Sequence, residues 1–102
     1  MYFVDNVCLV KDIDFSPQMN AWGGKECYLQ PDEWRRDEPK ECIELCQNVP
    51  GCTHFTWVSP EHIWVGGRLR CCLKIGELRK RKEEEGVTSG YSSSSCGSKN
   101  CV

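Results

Sequence analysis

Nine cysteines, at positions 8, 27, 42, 46, 52, 71, 72, 96 and 101, are the residues of this 102-residue chain best equipped for chemistry. Two uses compete for them, metal ligation and disulfide bonding. Cys42, Cys46, Cys52 and His54 make the pattern Cys-x3-Cys-x5-Cys-x-His, and Cys71-Cys72 adds an adjacent pair, so a zinc site can be imagined. Those spacings do not reproduce the paired Cys-x2–4-Cys ligands of structural zinc sites. Close to one residue in eleven is cysteine, the density of a disulfide scaffold. The thiols are therefore read as bridge partners, with no metal and no other cofactor, in a chain that is secreted or on the outside of a cell. Because nine is odd, one thiol stays free, bonds another chain, or pairs with a neighbouring domain.

Other reactive constellations are thinner. There are two histidines, His54 and His62, and no nucleophile-elbow or zinc-protease motif, so an enzyme is not expected. Glu83, Glu84 and Glu85 read as a hydrated patch, and His54 as a partly exposed strand residue. Arg79, Lys80, Arg81 and Lys82 form a dense cationic run that would attract sulfated glycans or anionic surfaces. Glu77 before it and the three glutamates after it cancel much of that field, and a solvated charged turn is the simpler reading. Trp22, Trp34 and Trp64 stand in loop-like stretches where exposed rings would stack on sugars or anchor a protein. At least one of them should be exposed. The net charge of −2 disfavours nucleic acid, and no apolar run reaches membrane-spanning length. The start MYFVDNVCLV, with Asp5 inside its apolar stretch and no basic leader, does not read as a signal peptide.

The elements that must position these residues follow from periodicity. Cys42, Leu45, Cys46 and Val49 recur at i, i+3, i+4 and i+7, one buried helical stripe, with Asp37 as cap, Pro39 in the first turn and Pro50-Gly51 as the stop. CTHFTWV has strand composition, with Thr53, Phe55 and Trp57 on one face and His54, Thr56 and Val58 on the other. In RLRCCLKIG, alternation sets Cys71, Leu73 and Ile75 on an apolar face and Arg70, Cys72 and Lys74 on a polar, outward one. ELRKRKEEEG reads as a charged turn or short helix, GVTSGY as a last strand, and CLVKDIDF as a first. The stretch SPQMNAWGGKECYLQPDEWRR, residues 16–36, reads as a loop with one or two short strands, around Glu26 to Gln30, and 21–36 as an insertion or divergent loop. Together these give a small α+β domain.

The run ECIELCQNVPGCTHFTW, then RCCLK, then GVTSGY with a cysteine after it, resembles the PAN/apple domain family, and CLVKDIDF is similar to that family's opening strand. The resemblance implies a curved antiparallel β-sheet cradling one α-helix, stapled by disulfides, as one domain over 1–102 with a core at 8–96 and a tail at 97–102. It implies the bridges Cys8–Cys96, Cys42–Cys71 and Cys46–Cys52. Cys27, Cys72 and Cys101 depart from the six-cysteine pattern. Cys27–Cys72 is the preferred extra bridge, leaving Cys101 unpaired or intermolecular; Cys72–Cys101, leaving Cys27, is the alternative.

The same resemblance implies a non-catalytic extracellular module that binds carbohydrate, including glycosaminoglycan, or another extracellular protein. Glycans are placed slightly ahead because of Trp22, Trp34, Trp64 and the run Arg79 to Lys82. A structural or adhesive component, cross-linked as a disulfide-linked homodimer through the odd cysteine, is a second class. A secreted inhibitor acting by protein binding is a third.

Overall fold

A computed structural model of the chain describes residues 2–4 and 7–92. Its regular elements are β1 (Tyr2–Val4), β2 (Val7–Asn20), α1 (Glu41–Asn48), β3 (Cys52–Val58) and β4 (Cys71–Tyr91), with three short 3-10 helices in the connections. The described residues form a small α+β fold: one four-stranded sheet in the order β1-β2-β4-β3, one α-helix and three disulfides.

The helix forms where its stripe requires. Cys42, Ile43 and Cys46 are buried, and Leu45 and Val49 pack on the same cluster. It begins later than an Asp37 cap would set it. The amides of Glu41, Cys42 and Ile43 bond the carbonyls three residues earlier, a tight turn that consumes Glu38 to Lys40. Glu38 donates its N–H to the Glu41 carboxylate at 2.9 Å, closing that turn. Gly51, with φ at 83°, then reverses the chain into β3.

β3 lies between the two halves of β4. Thr56 faces Cys72 on one side and Ser89 on the other, and Trp57 faces Cys71 and Thr88. In both ladders the β4 numbers fall as the β3 numbers rise, so the strands run antiparallel. β2 also pairs with both halves of β4, residues 9–11 opposite 90–88 and 19–20 opposite 75–74. β4 must therefore double back so that its ends flank one strand. Its ladder to β3 breaks between Gly76 and Gly86, whose φ values of 81° and 88° suit glycine. Opposite Asp12 the register leaves four β4 residues, 84–87, looped out, and the Asp12 carboxylate accepts the Gly86 N–H at 3.0 Å.

This closure gives the sheet two covered faces and corrects several expectations. Leu9, Phe55, Trp57, Cys71 and Leu73 pack with the helix residues Cys42, Ile43 and Cys46. The opposite face is buried as well, so Cys72, Lys74 and His54 are not outward or partly exposed. Alternation sorted the faces correctly; it had no bearing on whether the second one was open. The charged stretch 77–85 is strand, not turn or helix, because it is the middle of β4 and pairs with residues 13–17 of β2. Ladder bonds outweigh its weak strand propensity. Residues 16–20, read as loop, continue β2 because β4 pairs with them, and residues 26–30 hold a 3-10 helix, Cys27–Leu29, rather than a strand, followed by a second, Asp32–Trp34.

The three bridges are Cys42–Cys71, Cys46–Cys52 and Cys27–Cys72. The first ties the helix to β4, the second closes the helix exit, and the third ties the 21–36 segment to the sheet. Cys42, Cys46 and Cys52 are thus engaged as disulfides. The expected Cys8–Cys96 bridge and the thiol of Cys101 lie outside the described residues and side chains.

Candidate functional site

Two places bring polar or aromatic side chains together, one sealed and one open. The sealed one fills the face of the sheet away from the helix. Lys74, only 4% exposed, directs its ammonium at the Asp14 carboxylate (3.0 Å), the Thr56 hydroxyl (2.7 Å) and the Phe15 carbonyl. An ammonium has three protons, and each has an acceptor here. Thr56 Oγ1 also accepts the Phe15 N–H, so it must donate to Ser89 Oγ at 2.7 Å, and Ser89 passes its proton to the Ile13 carbonyl at 2.6 Å. The chain of donors therefore runs one way, from Lys74 to β2. Burial pushes the Lys74 pKa below the usual lysine range, and Asp14 pulls against that shift.

His54 belongs to the same layer at 1% exposure, its ring 6.2 Å from Phe15 and 6.4 Å from Tyr91. The Thr53 hydroxyl gives its proton to the Gly76 carbonyl, so His54 Nδ1 must donate to Thr53 Oγ1 at 2.8 Å. That leaves Nε2 as a bare acceptor, buried and without a partner among the described residues. A proton arriving there would find no acceptor, and burial plus the Lys74 charge lower the His54 pKa to about 4, against a smaller pull from Asp14. Ser89 is fully buried and Thr56 nearly so. The lysine–hydroxyl arrangement ties β2, β3 and β4 together.

The open place is built by two connections. The end of β2 carries Met19 exposed, the segment after it Trp22, Tyr28 and Leu29, and the connection from β3 to β4 Ile63 and Val65. The values are high: 57% for Trp22, 66% for Val65 and 92% for Ile63. Trp34, half-buried against the core, meets Trp22 edge to face with centroids 5.8 Å apart. Trp64 lies over Gly67, where an added Cβ would sit 2.0 Å from its ring, so it serves to fold its own connection.

The two connections are fastened to each other and to the sheet. The Gln30 side-chain amide donates to the Leu73 carbonyl (3.2 Å) and accepts the Leu73 N–H (3.1 Å), pairing with β4 as another strand would. Arg35 donates to the carbonyls of Gly66 and Arg68, and Arg70 to those of Gly66 and Gln30. With Cys27–Cys72, these bonds bring the 3-10 helix Cys27–Leu29 against the one at Val65–Gly67.

The sequence-predicted binders therefore separate. Trp22 and Trp34 meet; Trp64 turns inward on its own connection. The cationic run does not form one surface, because neighbouring strand residues point to opposite faces. Arg81 lies 5.2 Å over the Phe15 ring, whereas Arg79, Lys80 and Lys82 are exposed. Tyr28, Leu29, Ile63 and Val65 were missed. The signal available for the last two was an Ile-Trp-Val run between Pro60 and Gly66-Gly67, apolar residues where a turn should be polar. No family model matches the chain, and no curated protein matches it.

Proposed function

We propose that the chain is a PAN/apple-like recognition module of the extracellular space that binds another protein, without catalysis, through the face bearing Trp22, Tyr28, Leu29, Ile63 and Val65. Support for that family comes from the order of the sequence motifs, together with a helix bridged to the sheet by Cys42–Cys71 and closed at its exit by Cys46–Cys52. The density of bridges supports an oxidising compartment. No helix among the described residues is long and apolar enough to cross a membrane.

One observation carries the choice of ligand. Of the six exposed large hydrophobic side chains among the described residues, five belong to two connections that are bonded together, and the sixth, Met19, is at the end of β2 beside one of them. Such clustering marks interaction surfaces, whereas scattered apolar residues do not. Leu29, Ile63, Val65 and Met19 present aliphatic surface that a hydroxyl-rich glycan would not cover well, so a protein partner fits better than the sugar favoured from sequence. A glycan reading keeps the exposed ring of Trp22 in its favour.

A panel of purified extracellular ectodomains and a glycan array, each probed with the wild-type protein, Trp22→Ala and Val65→Ser, separate these readings. The expected result is a protein ligand whose binding falls about tenfold or more on Trp22→Ala. Binding only to glycans, or binding to proteins that neither substitution changes, would overturn the proposal.

A further inference from the structure

A second surface shares no residue with that face. Where β4 loops out at 84–87 opposite Asp12, the connection after β3 leans over the sheet and leaves a cleft of about 720 Å³. Ser59 donates its N–H to the Gly86 carbonyl at 2.9 Å, and His62 packs against Gly86 and bonds Glu84 at 2.8 Å, so the wall is fixed. Apolar surface from Trp57, Val87, Pro39 and Pro60 lines it. Trp57 is held in place by its indole N–H, which donates to the Arg36 carbonyl at 2.9 Å. A cleft lined this way needs little rearrangement to receive a ligand, and its size suits a short peptide segment.

Charge decides which segment. A neighbouring cleft of about 370 Å³ shares Lys11, Asp12 and Glu85 with the first. Across the two, the lining carboxylates are Asp12, Glu61, Glu83, Glu84 and Glu85, against the single lysine. We infer that this cleft receives a short arginine- or lysine-rich segment of a partner protein. The long methylene stems would lie on Trp57, Val87 and the prolines while the charged heads reach the carboxylate rim. An anionic segment would meet repulsion from five carboxylates against one lysine, and a neutral one would gain nothing from that charge.

The test is a titration of the isotope-labelled protein with acetyl-tetraarginine amide, followed by amide and indole resonances at low and at physiological salt. Acetyl-tetraglutamine amide is the control peptide. The expected shifts map to the Trp57 indole and the amides at 85–88, weaken with salt, and are absent with the control. Glu61→Gln with Glu85→Gln should weaken binding about tenfold. Both side chains are exposed, so resonances elsewhere should stay in place and certify the fold. Absence of shifts, shifts that map away from the cleft, or shifts that survive the double substitution would each overturn the inference.

Discussion

At the scale of single residues, Lys74 and His54 carry the most consequence. Lys74 satisfies Asp14, Thr56 and the Phe15 carbonyl at once, so removing its head group takes the partner from a partly buried carboxylate and from two further acceptors. Lys74→Met, which keeps the stem, should cost about 3–5 kcal/mol in denaturant unfolding. His54 predicts the response to acid. Its pKa lies near 4 in the fold and near 6.5 in the unfolded chain. The neutral ring's contribution is complete above about pH 6.5 and is lost as pH falls from there towards 4, because the unfolded chain takes up a proton that the fold refuses. The loss should approach about 3 kcal/mol in stability measured across that window. His54→Asn, which keeps a donor for Thr53, should remove that part of the slope. Neither residue was legible as buried. Period two places Lys74 beside Arg70 and His54 beside Thr56, and the type of each residue then argues for solvent.

At the scale of elements, the helix was the most legible and the 21–36 segment the least. Cys42, Cys46 and the glycine stop at Gly51 are local signals, and a helix is a local structure. The 21–36 segment is held by Gln30, whose partner Leu73 is 43 residues away. No periodicity within 21–36 points to such a bond. Gln30→Ala should destabilise the protein by about 1–3 kcal/mol, because the buried Leu73 amide loses its acceptor, while the Leu73 carbonyl keeps the Ala21 N–H. Hydrogen exchange at the Leu73 amide should accelerate; unchanged protection would mean that another group already holds that edge.

At the scale of the whole molecule, the closed sheet explains why one strand carries two adjacent cysteines. Cys71 faces the helix and bonds Cys42; Cys72 faces the other side and bonds Cys27. The Cys27–Cys72 bridge spans 45 residues, and the chain-entropy argument assigns such a closure about 4 kcal/mol. Replacing both cysteines with serine should lower the thermal midpoint while the helical circular-dichroism signal persists, since Cys42–Cys71 and Cys46–Cys52 remain. Quencher access to Trp22 and Trp34 should rise, because their segment loses its covalent tie.

What the sequence determined by itself was the local and the pairwise: the helix stripe, the strands around Cys52 and Cys71, the sorting of alternate residues to opposite faces, and the disulfide character of the chain. These depend on side-chain period and on composition, which a linear string contains. Only the tertiary structure decided that both faces of β3 and of the β4 ends are covered, that 77–85 is strand, and that Tyr28, Leu29, Ile63 and Val65 stand exposed together. Each of those depends on β4 doubling back around β3. That closure is set by ladder bonds between residues far apart in the chain, so burial, exposure and neighbourhood are properties of the closed sheet and not of any segment within it.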